Sequence, residues 1–405
     1  MDSTLDKLPS WADDAPARAV LAALGPDARF VGGCVRDALI GAVPFDIDIG
    51  VPYPPEETIA KLAAAKLRAI PTGIEHGTVT ALTGPGAQAA KYEITSLRRD
   101  VETFGRHARV AFDADWREDA ARRDFTINAL SLDQAGALHD YFDGRADLEA
   151  GRVRFIGDAA TRIREDVLRI LRFFRFHARF ARGDFDGASL AACRNGAVLL
   201  PNLSAERVCG EMFRLLAGPS AAPMLAAMRE AGLLAHWLPE ADAAGIAHIA
   251  ALDAFEIKSG VAADPIRRLA CFALDTRDFA RRWRLSNAQA ARLERLVRPP
   301  ARIDAGGDAA ALARAFYWLG DDARDRALID AALFADPVQA ETVFAAAKKW
   351  ARPVLPIGGE DLRAAGVAPG PAMGNALRAA ERAWVDSNFS LSKENLLARA
   401  AKNEP

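Results

Sequence analysis

The spacing of apolar residues changes near residue 150, which restricts the chain to two kinds of structure joined end to end. Before that point the pattern is one of short strands and short helices. Residues 16–24 read as a helix closed by Gly25, the stretch around Phe30 and Val31 as a strand, and CVRDALIG as a helix opening after a glycine pair. FDIDIGV (45–51) alternates strictly and reads as a strand; residues 55–69 read as an amphipathic helix. GTVTAL and AKYEITSL read as strands around the turn GPGAQ, and FTINALSL and ALHDYFDG carry the β character to about 144. From 158 onward the period is helical, interrupted by Pro/Gly breaks at 201, 218–223, 299–300, 306–307, 353–359 and 369–371. The expected class is α+β: a head of mixed sheet and helices over 1–150, a helical neck over 151–217, and a helical body and tail over 218–405.

Composition narrows the function classes. A chain of 405 residues exceeds one ordinary core, and 51% apolar with 26% charged residues describes a globular protein. No run of about 18 uncharged apolar residues is present, which argues against a membrane partner. The acidic N-terminus has no apolar stretch behind a basic start, so a cytoplasmic location is expected. Four cysteines, Cys34, Cys193, Cys209 and Cys271, lie far apart without CxxC spacing, which disfavours zinc and disulfides. The net charge of −2 does not announce a nucleic-acid binder, but the basic residues are 43 arginines against nine lysines. Arginine suits planar contacts to phosphates and bases.

Three features coincide in the head. Gly32-Gly33 stands between a strand and a helix, where glycine lets backbone approach a ligand and a helix start offers N–H groups to phosphate. Asp46-Ile47-Asp48 places two carboxylates on one strand face, with Phe45, Ile47 and Ile49 expected to face the core. Such a pair repels unless a cation lies between. Glu93 in KYEITSL is a third candidate carboxylate. Each feature alone also fits a bland role: a structural glycine pair, a solvated strand end, a solvated glutamate. Together they describe a Mg2+-dependent phosphoryl or nucleotidyl transfer site.

In this order and spacing, FVGGCVRDALIG, FDIDIG, HGTVTAL, YEITSLRRDV, EDAARRDFTINAL and EDVLRILRFFRF resemble the family of class II tRNA nucleotidyltransferases (CCA-adding enzymes) and bacterial poly(A) polymerases. The resemblance is strong over about 28–215 and weak in the tail. It implies a polymerase-β-type head. Metal carboxylates would be Asp46 and Asp48, with Glu93 in the third place, and Gly33 and Arg36 would form the nucleotide-binding turn. Arg123 and Asp124 would contact ribose and triphosphate, with Asn128 close by. Asp166 and Arg169, followed by Arg172 and Arg175, would read the base without a template strand. On one helix those four positions form an oblique stripe. An aspartate acceptor beside an arginine donor matches the edge that cytosine and adenine share. Residues 151–182 carry nine arginines and three acids, enough to attract triphosphate and RNA. The interleaved Phe173, Phe174, Phe176 and Phe180 are expected to pack rather than stack on bases.

The resemblance implies CTP, ATP and tRNA as substrates and partners, contacting the tRNA 3′ end and elbow, and leaves the oligomeric state open. Three features favour CCA addition over poly(A) synthesis: no G-R-R-F-like stretch follows Asp48, the end of the sequence is not a basic extension, and a long charged loop is expected over 96–110. A poly(A) polymerase, or an inactive RNA-binding protein on the same fold, stays open as the alternative. In the tail, 359–384 has a helix–turn–helix layout that could meet a phosphate or simply pack. No His-Asp metal pair with downstream partners is seen, so no attached phosphohydrolase is expected; His139-Asp140 reads as a structural or surface pair.

Overall fold

Asp14 opens the first helix, α1 (Ala15–Leu24), by accepting the Ala17 amide at 2.8 Å, and Gly25 closes it at φ +97°. The computed structural model that shows this describes residues 3–4, 7–84, 89–104, 107–112, 115–304, 306–334 and 336–402. The chain forms two compact units, one of Met1–Met212 with Glu230–His236, the other of Phe213–Arg229 with Trp237–Pro405.

The first unit is built on a mixed sheet. Its strands are β1 (Ser3–Thr4), β2 (Arg29–Val31), β3 (Asp48–Val51), β4 (Arg68–Gly73), β5 (Thr78–Thr83) and β6 (Ala90–Ser96). A separate two-stranded ribbon follows, β7 (Arg99–Phe104) with β8 (His107–Ala111), and then β9 (Ser131–Leu132) and β10 (Ala137–His139) return to the main sheet. Among the described residues the order is β1-β10-β9-β2-β3-β6-β5-β4, and β3–β6 is the one parallel pair. Period-two alternation sends Val79 and Ala81 of β5, and Tyr92 and Ile94 of β6, into a core with Val20 and Leu24 of α1 and Leu62 of α3 (Pro55–Ala64). Glu93, between Tyr92 and Ile94, is therefore exposed on the opposite face.

Three sequence expectations change here. The strand expected over 45–51 begins at Asp48, and Phe45, expected to face the core, is 98% exposed. Its ladder partner β2 pairs Phe30 with Ile49 and Arg29 with Gly50, so the position opposite Ile47 falls on Gly32. That glycine has already left the strand at φ +72° to open α2 (Gly33–Leu39). The loop expected over 96–110 is instead the end of β6 and the ribbon β7–β8, whose connecting residues 105–106 lie outside the described set. Residues 85–88 of the expected GPGAQ turn also lie outside it. FTINALSL forms a single 3-10 turn, Thr126–Asn128, before the two residues of β9.

Helix α4 (Trp116–Ala121) lies between β8 and β9, and past β10 come α5 (Gly144–Ala150), α6 (Ala159–Glu165), α7 (Arg169–Phe180), α8 (Gly187–Asn195) and α9 (Ala205–Leu216). Asp115 and Glu118 start α4 with a reciprocal capping box at 2.8 and 3.0 Å. Helix α7 buries Phe173, Phe174, Phe176 and Phe180. Phe173 lies 5.6 Å from Phe155 and Phe176 5.1 Å from Phe125, ring centre to ring centre, so α7 and the RRDF segment share one aromatic core.

The second unit is helical among its described residues. Trp283 is fully buried beside Phe279 and donates its indole N–H to the Trp237 carbonyl at 2.6 Å. Buried Arg267 and Arg268 share Glu256, each pairing with it at 2.6–2.8 Å. Helices Gly359–Ala364 and Pro371–Asp386 form the expected helix–turn–helix, packing Leu362, Trp384 and Val385 into a core with Tyr317. No helix among the described residues is long and apolar enough to cross a membrane.

Candidate active site

Parallel pairing of β3 with β6 sets Asp48 directly beside Glu93, and the Glu93 amide donates to the Ile47 carbonyl at 3.0 Å. Paired residues on adjacent strands project to the same face about 5 Å apart. Asp46 precedes the strand in a bend and is exposed. Burial, and then the Glu93 and Asp46 carboxylates, push Asp48 up to about 6 against the opposing pull of Arg123. Among the described residues no three His, Cys, Asp or Glu side chains converge on one metal position. The donor set nevertheless fits a hard divalent cation: small cations of this kind take one or two carboxylates and complete their shell with water and phosphate oxygens. An under-neutralised carboxylate at Asp48 is where such a cation lowers the energy most.

Beside Asp48 opens a cleft of about 450 Å³. Gly32 and Gly33 form its floor. Gly32 has φ +72°, and a Cβ there would lie 2.6 Å from Arg123 Nη1. The same Arg123 donates to Asp119 at 3.2 Å and to the Asn128 carbonyl at 3.4 Å. Burial raises Asp119, but the Arg122 and Arg123 guanidiniums outweigh it and hold the carboxyl below its ordinary value.

Two residues assigned from the sequence to nucleotide contacts are engaged inside the wall. Arg36 is buried, donates to Asp37 at 2.7–2.8 Å and to Asn128 Oδ1 at 2.5 Å, and lies 4.2 Å over the Phe180 ring. Burial lowers its basicity, with Asp37 opposing. Asp124 is buried, accepting from the Phe125 amide and Asn128 Nδ2 on one oxygen and from Arg172 Nε at 2.7 Å on the other. Burial pushes this carboxyl up, but Arg172 and Asn128 hold it below the usual range.

Asp166 also lines the cleft but is not on the helix that carries the other three expected base readers. Helix α6 ends at Glu165, and Asp166 is extended, with φ −148° and ψ 105°. Its carboxylate accepts the Leu168 amide at 3.1 Å and Arg207 Nη2 at 2.7 Å. Such local side chain–backbone bonding competes with helix. Arg169 starts α7 and donates to Glu165 at 2.7 Å and to the Arg122 carbonyl at 2.8 Å. Arg172 lines the cleft, whereas Arg175 does not, donating instead to Glu211 at 2.6 Å.

The cleft thus gathers Gly32, Gly33, Arg36, Asp48, Arg123, Asp124, Asp166, Arg169 and Arg172, and leaves Asp46, Glu93 and Arg175 outside its lining. Sequence reasoning missed Arg122, Arg207 and Glu211; Phe176, expected to pack, is buried and also lines the cleft. The Glu165–Arg169 pair had an i,i+4 signal, but Arg207 and Glu211 come from α9, far along the chain. His139 and Asp140 have structural partners: His139 Nε2 lies 2.9 Å from Asp133, and Asp140 accepts three amides at the start of α5.

Residues 28–154 match the poly A polymerase head domain, and 184–244 match a probable RNA and SrmB-binding site of polymerase A. Fold and cleft together define a nucleotidyltransferase, a class that generally depends on a divalent metal. A CCA-adding enzyme of Limosilactobacillus fermentum is 33% identical over 401 residues, covering 96% of each chain. The mitochondrial CCA tRNA nucleotidyltransferase 1 of Homo sapiens is 32% identical over 92% of this chain and 86% of its own. Among solved structures, the Bacillus stearothermophilus CCA-adding enzyme in complex with CTP aligns with a TM-score of 0.75 at 28% identity, over 96% of this chain and 98% of that one. The chain belongs to the family of CCA-adding enzymes, the CCA tRNA nucleotidyltransferases.

Proposed function

We propose that the chain adds C, C and A from CTP and ATP to the 3′ end of tRNA without a template, releasing pyrophosphate, in the cytoplasm and with Mg2+. The observation that carries this is the register of Asp48 against Glu93 at the mouth of a cleft walled by arginines.

Asp46 and Asp48 would hold the metal, with Glu93 beside them. A bound divalent cation supplies Lewis-acid activation of the RNA 3′ hydroxyl and charge compensation for the leaving pyrophosphate. Gly32 and Gly33 let the triphosphate approach the backbone, and Arg123, poised over Gly32, meets its charge. The 3′ hydroxyl gives up its proton to water, its oxygen attacks the α-phosphorus, and the bond from that phosphorus to the oxygen bridging to the β-phosphate breaks, releasing pyrophosphate. Arg36 and Asp124 line the same cleft and also brace its wall through Asn128 and Arg172.

Base choice falls to Asp166 and Arg169. An acceptor from Asp166 and a donor from Arg169 pair with the exocyclic amine and ring acceptor of cytosine or adenine, and leave guanine and uracil mismatched. Arg172 and Arg175, tied to Asp124 and Glu211, fix the helix that carries Arg169.

The test is single-nucleotide resolution of products from a tRNA lacking its last three nucleotides, given Mg2+ and all four NTPs. Three additions needing only CTP and ATP, then a stop, establish the reading. An A ladder from ATP alone makes it a poly(A) polymerase, two C additions a CC-only enzyme, and no extension an RNA-binding protein.

A further inference from the structure

Between α2 and β3 the chain presents apolar side chains to solvent: Ile40, Val43 and Phe45, the last two 86% and 98% exposed. Large apolar groups placed singly on a surface need no account. Here three occur within six residues, and the last is bonded directly to Asp46. The loop is held at its base, where the Gly41 amide donates to Ala38 and the Ala42 amide to Asp37, at 3.0 and 2.8 Å. Pro44 stiffens the approach to Phe45.

Phe45 does not line the nucleotide cleft. Consecutive Cα atoms lie 3.8 Å apart, so the Phe45 ring sits within a nucleoside's reach of the Asp46 carboxylate. Behind the loop, Ile40 and Val43 border a groove of about 700 Å³ that also presents Lys7, Arg182 and the Arg145–Glu149 pair. Its charged groups sum to +2, three cations against one carboxylate. An aromatic face next to a cationic groove is how single-stranded nucleic acid is bound without sequence preference.

We propose that Phe45 is the stacking platform for the terminal base of the RNA acceptor strand, and that Lys7 and Arg182 meet the phosphates behind it. This rests on the reading of RNA as the substrate. Stacking is indifferent to base identity, which suits a primer end that changes from discriminator base to C to C during synthesis. Phe45 is a positioning residue for the 3′ hydroxyl and takes no part in choosing the nucleotide.

The experiment compares Phe45→Ala, Phe45→Leu and Phe45→Trp with the unaltered chain. Readouts are KM for tRNA, KM for CTP, the melting temperature, and equilibrium binding of tRNA lacking its last three nucleotides. Phe45→Ala and Phe45→Leu are expected to raise the tRNA KM and dissociation constant about tenfold, leave the CTP KM and melting temperature unchanged, and be rescued by Phe45→Trp. Equal tRNA affinity in all four proteins overturns the platform. So does a Phe45→Ala protein that binds tRNA normally but loses a dimer seen by light scattering, since the occupant is then a second copy. Binding requires no turnover, so it tests the platform even if the unaltered chain extends no RNA, the result that would instead defeat the proposed reaction.

Discussion

Arg172 holds buried Asp124 by two nitrogens, Nε at 2.7 Å and Nη2 at 2.6 Å, both on one carboxylate oxygen. This pair ties the RRDF segment to the helix that carries Arg169. Removing the arginine leaves a carboxylate that is 7% exposed with its main counter-charge gone.

Arg172→Ala is therefore expected to destabilise the protein by about 3 kcal/mol. Arg172→Lys should recover only part of this, because a lysine amine cannot present two nitrogens to one oxygen. Urea unfolding followed by tryptophan fluorescence measures both. A change below about 0.5 kcal/mol would show that the pair is solvated and dispensable.

Asp48 gives a pH-dependent prediction. Its folded value of about 6 stands above the ordinary 3.8, so the folded state holds this proton more tightly than the unfolded chain. The resulting penalty is absent below about pH 4, grows between 4 and 6, and is complete above 6. Asp48→Asn should stabilise the metal-free protein by roughly 2–3 kcal/mol at pH 8 and leave it unchanged at pH 3.5. Mg2+ should raise the melting temperature of the unaltered protein at pH 8 and not that of the variant. A gain that is independent of pH would mean that the carboxylate is not the cause.

The two neighbouring glycines should behave differently. Gly32→Ala forces a Cβ to 2.6 Å from Arg123 Nη1 at a positive φ, whereas a Cβ on Gly33 finds its nearest neighbour at 3.6 Å with ordinary backbone. Gly32→Ala is expected to cost about 2 kcal/mol in stability and displace Arg123, raising the CTP KM. Gly33→Ala should fold normally, so that any loss of activity comes from the crowded triphosphate. Circular dichroism melts with nucleotide titrations separate the two; equal melting temperatures would reject the argument.

Asp166→Ala should keep the transfer step and relax its choice of base. With the acceptor gone, incorporation of UMP and GMP relative to CMP should rise at least tenfold, within the range that one well-placed pair of hydrogen bonds discriminates. Competition between NTPs on a fixed tRNA, resolved by length and sequencing, is the measurement. An inactive variant that still binds CTP with its former preference would place base choice elsewhere.

Much of the site was legible in residues 45–51 and 90–97, because alternation on β3 and β6 fixes which side chains leave the core. That put Asp46 and Asp48 on one face and left Glu93 as a candidate third carboxylate; the parallel register that sets Glu93 beside Asp48 has no signal in either segment. What alternation could not convey is where the ladder stops: β2 turns away at Gly32, so Phe45 and Asp46 have no strand partner and stand in solvent. The break at Asp166 was equally hidden, since the helical period runs through it while its own carboxylate captures the Leu168 amide. Arg207 and Glu211 lie about 40 residues from their partners, and no local pattern reports a contact of that kind. The packing of Phe173, Phe174, Phe176 and Phe180 follows from their spacing on α7, but their union with Phe125 and Phe155 does not.

That shared aromatic core governs where the gene can be cut or recombined. A crossover at residue 150, where the periodicity changes, would part Phe125 from Phe176 and leave a head with an open apolar wound and α7 with nothing to rest on. The Asp48–Glu93 pair and the Asp166–Arg169 segment thus belong to one folded block reaching to about Met212, and neither can be exchanged without the other.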